Sequence, residues 1–203
     1  MNWGEIQIET LKKMYLNNDN LVVSDLDEYR ENKKYRTYLF AMPQAANEAI
    51  RKILDVKPTI KSYTLKYKDS TNKYELKKVI PGYKKLFEIV YNGTKKPNYY
   101  FEGDNVLVVN NWSESDETFT IYYESYHDII KTSTSASASI NVDRELIPLI
   151  PLYIAGELYK DDDVQQSTIW MNEFETALSE VKSNSKDINS NPREITTVYG
   201  VDW

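Results

Sequence analysis

The sequence predicts an α+β fold, in which helices from both ends of the chain form a bundle that carries an inserted small antiparallel β-sandwich or barrel. Two observations lead to this prediction. Apolar residues recur at helical spacing near both ends of the chain. Between them, from Pro58 to about Ile130, the chain alternates, is rich in tyrosine and is divided by turn signals into five or six short strands.

The composition limits the classes of protein to which the chain can belong. It has no cysteine, which excludes disulfides and thiol-ligated metals. Its formal net charge of −6 disfavours a grip on nucleic-acid phosphates. The N-terminus lacks the apolar core of a signal peptide, and no apolar run is long enough to cross a membrane. We therefore expect a protein that folds in a reducing cytoplasm without a membrane anchor.

Two helices are predicted before the strands. In the first, over residues 2–16, Asn2 and Glu5 have the spacing of a capping box. In the second, over residues 35–54, apolar residues step by three and four. Pro43 lies inside this second helix and cannot donate a backbone hydrogen bond, so we expect a kink or a break just before it.

The middle of the chain contains the predicted strands. TIKSYTLKYK, YELKKVI, KLFEIVY, NYYFEGDNVLVVNN and ETFTIYYESY are strand-like, and the fourth of these predicts a hairpin with its turn at Gly103. Six tyrosines in these strands could stack on a ligand, although strand propensity and core packing are the more common reasons for tyrosine there. They are Tyr63, Tyr67, Tyr99, Tyr100, Tyr122 and Tyr123.

The C-terminal part predicts a helical hairpin. KTSTSASAS at 131–139 is predicted to be a linker or an extended crossover. One helix is expected over 143–159, with Pro148 and Pro151 at its start, and another over 163–181. The residues predicted to pack between helices are Leu158, Met171, Phe174, Leu178 and Val181.

Three consecutive aspartates lie between these two helices, and they could form a metal site or a helix cap. Asp162 and Gln165 have capping-box spacing, and Asp163 would then complement the dipole of the first turn. Calcium loops need spaced oxygen ligands, which a DDD run does not supply. We therefore predict a cap at Asp162 and Gln165, with no catalytic residue, metal or cofactor.

The last residues predict an arm. A polar stretch, SNSKDINSNP, precedes REITTVYGVDW, in which alternate residues would share one face of an extended strand. The residues of this inter-subunit arm are Ile195, Tyr199, Val201 and Trp203. The predicted domains are thus a discontinuous helical bundle at 1–57 and 131–185, a β insertion at 58–130 and an arm at 186–203.

Three segments resemble head–tail connector (adaptor) proteins of tailed bacteriophages. The strongest is INVDRELIPLIPLYIAGELYKDDDVQQSTIWMNEFETAL, with its Leu-Ile-Pro-rich start, acidic turn and NEFETAL helix. AANEAIRKIL at 45–54 is similar to an early helix of such proteins, and FTIYYESYHDII is similar to the strand that leads back to their last helices. The resemblance covers about half of the chain.

This resemblance implies a virion structural protein without enzymatic activity, assembled in the bacterial host cytoplasm. About twelve copies would form a closed ring. The ring would bind the portal protein on one side and a neighbouring tail or stopper protein on the other, and DNA would pass through its channel without specific binding. The alternative is a carbohydrate-binding or decorating module of the virion that uses the tyrosine-rich β region.

Overall fold

The computed structural model describes residues 1–15, 20–66, 72–91, 98–109 and 118–189, with side chains described as far as residue 183. Helices and antiparallel strands both occur, so the predicted α+β class is confirmed. The helices are α1 (Trp3–Met14), α2 (Leu26–Glu31), α3 (Lys33–Val56), α4 (Leu76–Val79), α5 (Leu149–Tyr159) and α6 (Val164–Asn189), with a 3-10 turn at Val23–Asp25. The strands are β1 (Ile60–Lys66), β2 (Lys73–Glu75), β3 (Tyr83–Tyr91), β4 (Tyr99–Glu102), β5 (Val106–Val109) and β6 (Thr118–Ser125).

Helix α1 begins with the predicted capping box. The Asn2 side chain accepts a hydrogen bond from the Glu5 N–H, and the Glu5 carboxylate accepts one from the Asn2 N–H, both at 2.9 Å. These bonds satisfy donors that a helix leaves without internal partners. The capping box predicted from sequence spacing is therefore confirmed.

The serine-rich stretch at 131–139 is packed against the N-terminus of α1. The N–H of Trp3 donates to the carbonyl of Ala138 at 2.9 Å, and the N–H of Gly4 donates to that of Ala136 at 2.7 Å. A Cβ at position 4 would lie only 2.9 Å from the Ala136 Cβ and from a Val23 methyl. Glycine is therefore required here by close approach, and this segment is a packed strap and not a linker.

Helix α3 continues through Pro43. The sequence predicts a kink or a break at this point. The helix is continuous from Lys33 to Val56, so the predicted break is wrong, whereas the kink stays a prediction. Proline inside a helix costs about 3 kcal/mol because one hydrogen bond is lost and the ring crowds the preceding turn. Buried residues on both sides of the proline, including Leu39, Met42 and Ala46, hold the two halves of the helix in one core and offset that cost.

A single hydrophobic cluster joins the N-terminal and C-terminal helices. Side chains from α1, α3, α5 and α6 meet in it, together with Ile130, Val142, Leu146 and Ile147 from the connection between β6 and α5. Apolar burial at about 25 cal/mol per Å² makes this cluster the main stabilising contribution to the helical part. Residues separated by more than a hundred positions thus share one core.

The strands form two three-stranded antiparallel sheets, in the orders β1-β6-β3 and β2-β5-β4. Register is set by alternation: Phe119 and Ile121 of β6 point inward opposite Leu65 and Tyr63 of β1. Leu107 and Val109 of β5 join the same buried cluster from the second sheet. The two sheets therefore share a hydrophobic core that is separate from the helical one.

Two predicted element boundaries are wrong. YELKKVI was expected to be a strand, but β2 ends at Glu75 and α4 follows. Leu76 and Ile80 are both fully buried at a spacing of four, and the Ile80 N–H donates to the Leu76 carbonyl at 2.8 Å. The sequence of this segment therefore has apolar residues at helical spacing, and the prediction treated them as the alternation of a strand. The helix expected from Asp143 begins at Leu149 instead, after a series of turns.

The C-terminal boundary also differs from the prediction. α6 extends to Asn189, beyond the predicted end at Val181, so the first part of the predicted polar tether is helical. The arm residues Ile195, Tyr199, Val201 and Trp203 lie outside the described residues. The predicted domain limits stay predictions. Within the described ranges, no helix has the length and apolar character that a membrane span requires.

Candidate functional site

The cap of α6 is Asp163, one residue later than predicted. Its carboxylate accepts hydrogen bonds from the N–H groups of Gln165 at 3.1 Å and Gln166 at 3.0 Å, the second and third residues of the helix. Such bonds typically contribute about 1 kcal/mol. The assignment of Asp162 and Gln165 as a capping box is therefore wrong, because their spacing fits the pattern but Asp163 is in the capping position.

Asp162 has a different role, since its carboxylate accepts a hydrogen bond from the Tyr38 hydroxyl of α3. Burial and then this hydrogen bond raise the pKa of Tyr38 well above its ordinary value, which keeps the phenol protonated as the donor. The bond joins residues 124 positions apart in the chain. It fixes the acidic turn between α5 and α6 to the N-terminal half of the helical core.

The three aspartates do not converge on a common point that could hold a cation. Asp161 is exposed, Asp162 contacts Tyr38, and Asp163 faces the first turn of α6. In the part of the chain that the structure describes, no group of three His, Cys, Asp or Glu side chains is arranged to hold a metal ion. The geometry of the turn is therefore that of a structural junction.

The α5–α6 hairpin is closely packed at one small residue. The Ser167 hydroxyl donates to the Gly156 carbonyl at 2.7 Å, and a Cβ on Gly156 would lie 3.3 Å from the backbone nitrogen of Met171. Further along, the rings of Tyr153 and Phe174 meet edge to face at a centroid distance of 5.0 Å. Gly156 and Ser167 were not identified from the sequence, because a single glycine and a single serine carry no periodic signal.

The predicted packing stripe lies on the inner side of this hairpin. Phe174 and Leu178 are buried in the helical cluster, and Leu158, Met171 and Val181 are half-buried against it. Trp170 is buried as well and contacts the Tyr159 ring at 5.6 Å, although sequence spacing did not single it out. The inner face of α6 is thus wider than the predicted stripe.

A chain of aromatic rings closes the same end of the helical core. The ring of Tyr15, which follows the last residue of α1, meets that of Tyr35 at a centroid distance of 5.0 Å and that of Tyr38 at 6.2 Å, and Tyr38 in turn meets Tyr159 at 6.4 Å. The Lys34 ammonium lies 4.4 Å from the centre of the Tyr15 ring. Burial raises the pKa of Tyr15 to about 12, so the phenol stays neutral and its hydroxyl donates to the Lys34 carbonyl. These contacts hold the helices together.

The outer face of α6 has no cover from any other described element. Ile169 is 48% exposed on this face. Ile169 lies beside a shallow depression of about 450 Å³ whose lining comes from α6 alone. The remaining residues of this depression are Asn172, Glu173, Thr176, Ala177 and Glu180. The Ile169 side chain on this face is therefore available for contact with another protein.

The tyrosines considered as ligand-stacking residues divide into two groups. Tyr123 is buried and Tyr63 is half-buried in the strand core, as strand propensity predicts. Tyr99, Tyr100 and Tyr122 are exposed, whereas Tyr67 lies outside the described residues. Phe101, which the sequence did not single out, is exposed next to Tyr99, with ring centres 6.2 Å apart.

His127 lies where the connection from β6 meets α3. The Asn47 side chain bonds the backbone of Ile130 on both sides, donating to its carbonyl at 2.8 Å and accepting from its N–H at 2.9 Å. The His127 Nε2 lies 3.2 Å from the same Asn47 oxygen, and burial lowers the His127 pKa. The sequence favours a surface or hydrogen-bonding role for this histidine over a catalytic one, and the structure shows the hydrogen bond to Asn47.

No protein-family model matches this chain, and no curated protein matches it either.

Proposed function

We propose that this chain is a virion structural protein of a tailed bacteriophage, a head–tail connector that forms a ring below the portal. The observation that carries the proposal is the uncovered outer face of α6, where Ile169 is exposed beside Glu173 and Glu180. An aliphatic surface on a rigid helix favours contact with another protein, because water is released when the two surfaces meet.

The rigidity of the α5–α6 hairpin supports the proposal. The hairpin is fixed by the Asp162–Tyr38 bond at its turn and by the Tyr153–Phe174 contact further along. An interface that needs little ordering on association loses less of its binding free energy to entropy. A contact between this face of one copy and a different face of the next copy is heterologous. When each such contact rotates the next copy by the same angle, and that angle divides a full turn, the copies close into a ring.

The charge of the chain suits a channel through which DNA passes. A net charge of −6 opposes a grip on the phosphates of DNA. The partners in this proposal are further copies of the chain, the portal protein, and a tail or stopper protein. No enzymatic step and no cofactor enters the proposal.

The finer architecture belongs to the same proposal. The helical cluster would be the ring-forming bundle, and the two sheets would form a small sandwich inserted into it between residues 58 and 130. The separation of the two buried clusters supports this division. The residues after 186 would form an arm that reaches a neighbouring copy or the portal.

The test is the mass of the purified protein, alone and with portal, by light scattering and electron microscopy. We expect a ring, and we expect Ile169→Lys to abolish it because a charge would be buried in the contact. Val22→Lys is the matched control, since Val22 is 45% exposed and lies away from α6. A chain that stays monomeric with and without portal, or a ring that Ile169→Lys leaves intact, contradicts the proposal.

A second candidate function is a carbohydrate-binding or decorating module of the virion. The exposed rings of Tyr99, Tyr100 and Phe101 on β4 favour it, because sugars stack on exposed aromatic faces. A glycan screen on the monomer tests this candidate. Binding that Tyr100→Ala weakens would favour the module over the ring.

A further inference from the structure

Strand β4 is the outermost strand of its sheet and has a free side. It pairs with β5 along its whole length, from Tyr99 opposite Val109 to Glu102 opposite Val106. On its other side, no strand in the described part of the chain pairs with it. Alternate residues of an edge strand direct their N–H and C=O groups outward, so this side can pair with one more strand.

Each of the other three edges has a feature that discourages pairing with another chain. Folded proteins protect sheet edges with lysines, bulges or very short strands. These features are Lys61 and Lys66 on β1, a length of three residues with Lys73 on β2, and Lys84, Lys85 and two register shifts on β3. By contrast, β4 presents Tyr99, Tyr100 and Phe101, all exposed, and keeps regular register with β5. Its length of four residues and the exposed carboxylate of Glu102 at its end limit how far another strand could pair with it.

The side chains of β4 suit a strand rich in β-branched residues. Tyr99 and Phe101 lie on the same face as Val109 and Leu107, their partners in β5, and Tyr100 lies on the opposite face. Aromatic residues opposite β-branched ones are among the favourable cross-strand pairs. An incoming strand would therefore gain side-chain contacts on both faces as well as backbone hydrogen bonds.

We propose that β4 is the docking edge for residues 195–199 of a second copy of this chain. This segment, ITTVY, contains four β-branched residues and a tyrosine, and it has no charge that would oppose docking. It follows the end of α6 at Asn189, and the chain between Asn189 and Ile195 can span up to about 20 Å when extended. The inference rests on the proposed ring, because a neighbouring copy supplies the strand.

Hydrogen exchange on the full-length protein tests the docking. We expect the outward-directed amides among residues 99–102, which do not bond to β5, to be protected at protein concentrations that form the ring and to exchange roughly tenfold faster on dilution to monomer. Thr197→Pro should remove the protection, because proline has no N–H and cannot join a ladder. Asn191→Pro is the matched control, since it places a proline in the same segment but before the docking residues.

A second pair of variants tests the edge itself. Tyr100→Lys places a charge on the edge strand and should remove the protection of a partner's residues 195–199. Tyr122→Lys is the control, because Tyr122 is also exposed but belongs to the central strand β6. If both Thr197→Pro and Tyr100→Lys leave exchange of β4 unchanged in an intact ring, the docking is wrong and the proposed ring stands.

Two further outcomes also decide the proposal. In the first, Thr197→Pro removes the protection of β4, but the protection does not change with protein concentration. This result would show that a chain docks its own tail, which contradicts the role of a second copy. If the protein is monomeric at every concentration, a synthetic peptide of residues 193–203 takes the place of the neighbour. Protection of β4 by this peptide, and not by the same peptide with Thr197→Pro, supports the docking edge, whereas no protection overturns it.

Discussion

The helical core and the β region differ in which parts of the chain supply their buried residues. The helical core joins α1 and α3 to α5 and α6, so residues from both ends of the sequence meet in one cluster. In the described part of the chain, the buried hydrophobic residues of the β cluster lie between Leu65 and Tyr123. The helical core therefore depends on long-range contacts across the inserted strands, whereas the β cluster is contained in one continuous stretch.

This difference predicts how far the effect of a substitution in each core should extend through the molecule. Loss of a contact in the helical core separates the two ends of the chain, and the strap at 131–139 then loses the helix that it caps. Loss of a contact in the β cluster leaves the helical contacts in place, because the two clusters share no buried residue. The predictions below test this asymmetry, from the largest expected effect to the smallest.

The largest effect is expected from truncating a buried phenylalanine in each region. Phe174 and Phe119 are both fully buried. Phe174→Ala should lower the free energy of unfolding by about 3–5 kcal/mol, and hydrogen exchange should increase throughout the helices. Phe119→Ala should lower the stability of the β region by a comparable amount, but it should increase hydrogen exchange mainly in the strands.

Exchange measured by mass spectrometry, with thermal unfolding of the same variants, checks this prediction. Phe87→Ala is the matched control because Phe87 is 63% exposed, and it should change the stability little. If Phe119→Ala loosens helices and strands equally, the two regions unfold as one cooperative unit and the asymmetry is absent.

Gly4→Ala tests the contact between the strap and α1. Alanine is the better helix former by about 1 kcal/mol, so propensity alone predicts stabilisation. The new Cβ, however, would lie 2.9 Å from the Ala136 Cβ and 3.2 Å from the Ala136 carbonyl oxygen. We therefore expect a net loss of about 1–3 kcal/mol, the usual cost of overpacking.

Chemical denaturation measures the effect of Gly4→Ala. The double variant Gly4→Ala/Ala136→Gly should recover part of the stability, because it removes one of the close contacts. An increase in stability in the single variant would show that the strap yields easily and is not part of the helical core.

Asp163→Ala tests the corrected helix cap. The variant should lose about 0.5–2 kcal/mol, whereas Asp163→Asn or Asp163→Ser should be nearly neutral because both side chains can accept the same backbone hydrogen bonds. Asp161→Ala is the control, since Asp161 is exposed and caps no helix. Thermal unfolding of this series would contradict the assignment if Asp161→Ala and Asp163→Ala were equally mild.

The smallest effect is expected from protonation of His127 at the junction between the two regions. Burial lowers its pKa, so the folded state favours the neutral ring, although the neighbouring Asp128 partly opposes this shift. The stability that the neutral His127 ring contributes is fully present above the unfolded-state pKa of about 6.5. It is lost as the pH falls from there through the lower folded-state pKa. His127→Asn should reduce the pH dependence of the melting temperature in that window. An unchanged profile would show that other groups cause it.

The sequence by itself determined the α+β class, the capping box at Asn2 and Glu5, the β4–β5 hairpin, and the inner face of α6 around Phe174. These features depend on local periodicity and on side chains that bond their own neighbours in the chain, so the information lies within a few residues. The missed helical turn at Leu76–Val79 was also encoded locally, because apolar residues at 76, 79 and 80 have helical spacing.

Only the tertiary structure decided the other features. The Asp162 carboxylate meets Tyr38 across 124 residues, the strap caps α1 from position 136, and α3 continues through Pro43 because its two halves are buried in one core. The choice of Asp163 over Asp162 as the cap depends on where α6 begins, which the packing of α5 against α6 sets. Contacts of this kind pair residues that are distant in sequence, and no single segment contains both partners.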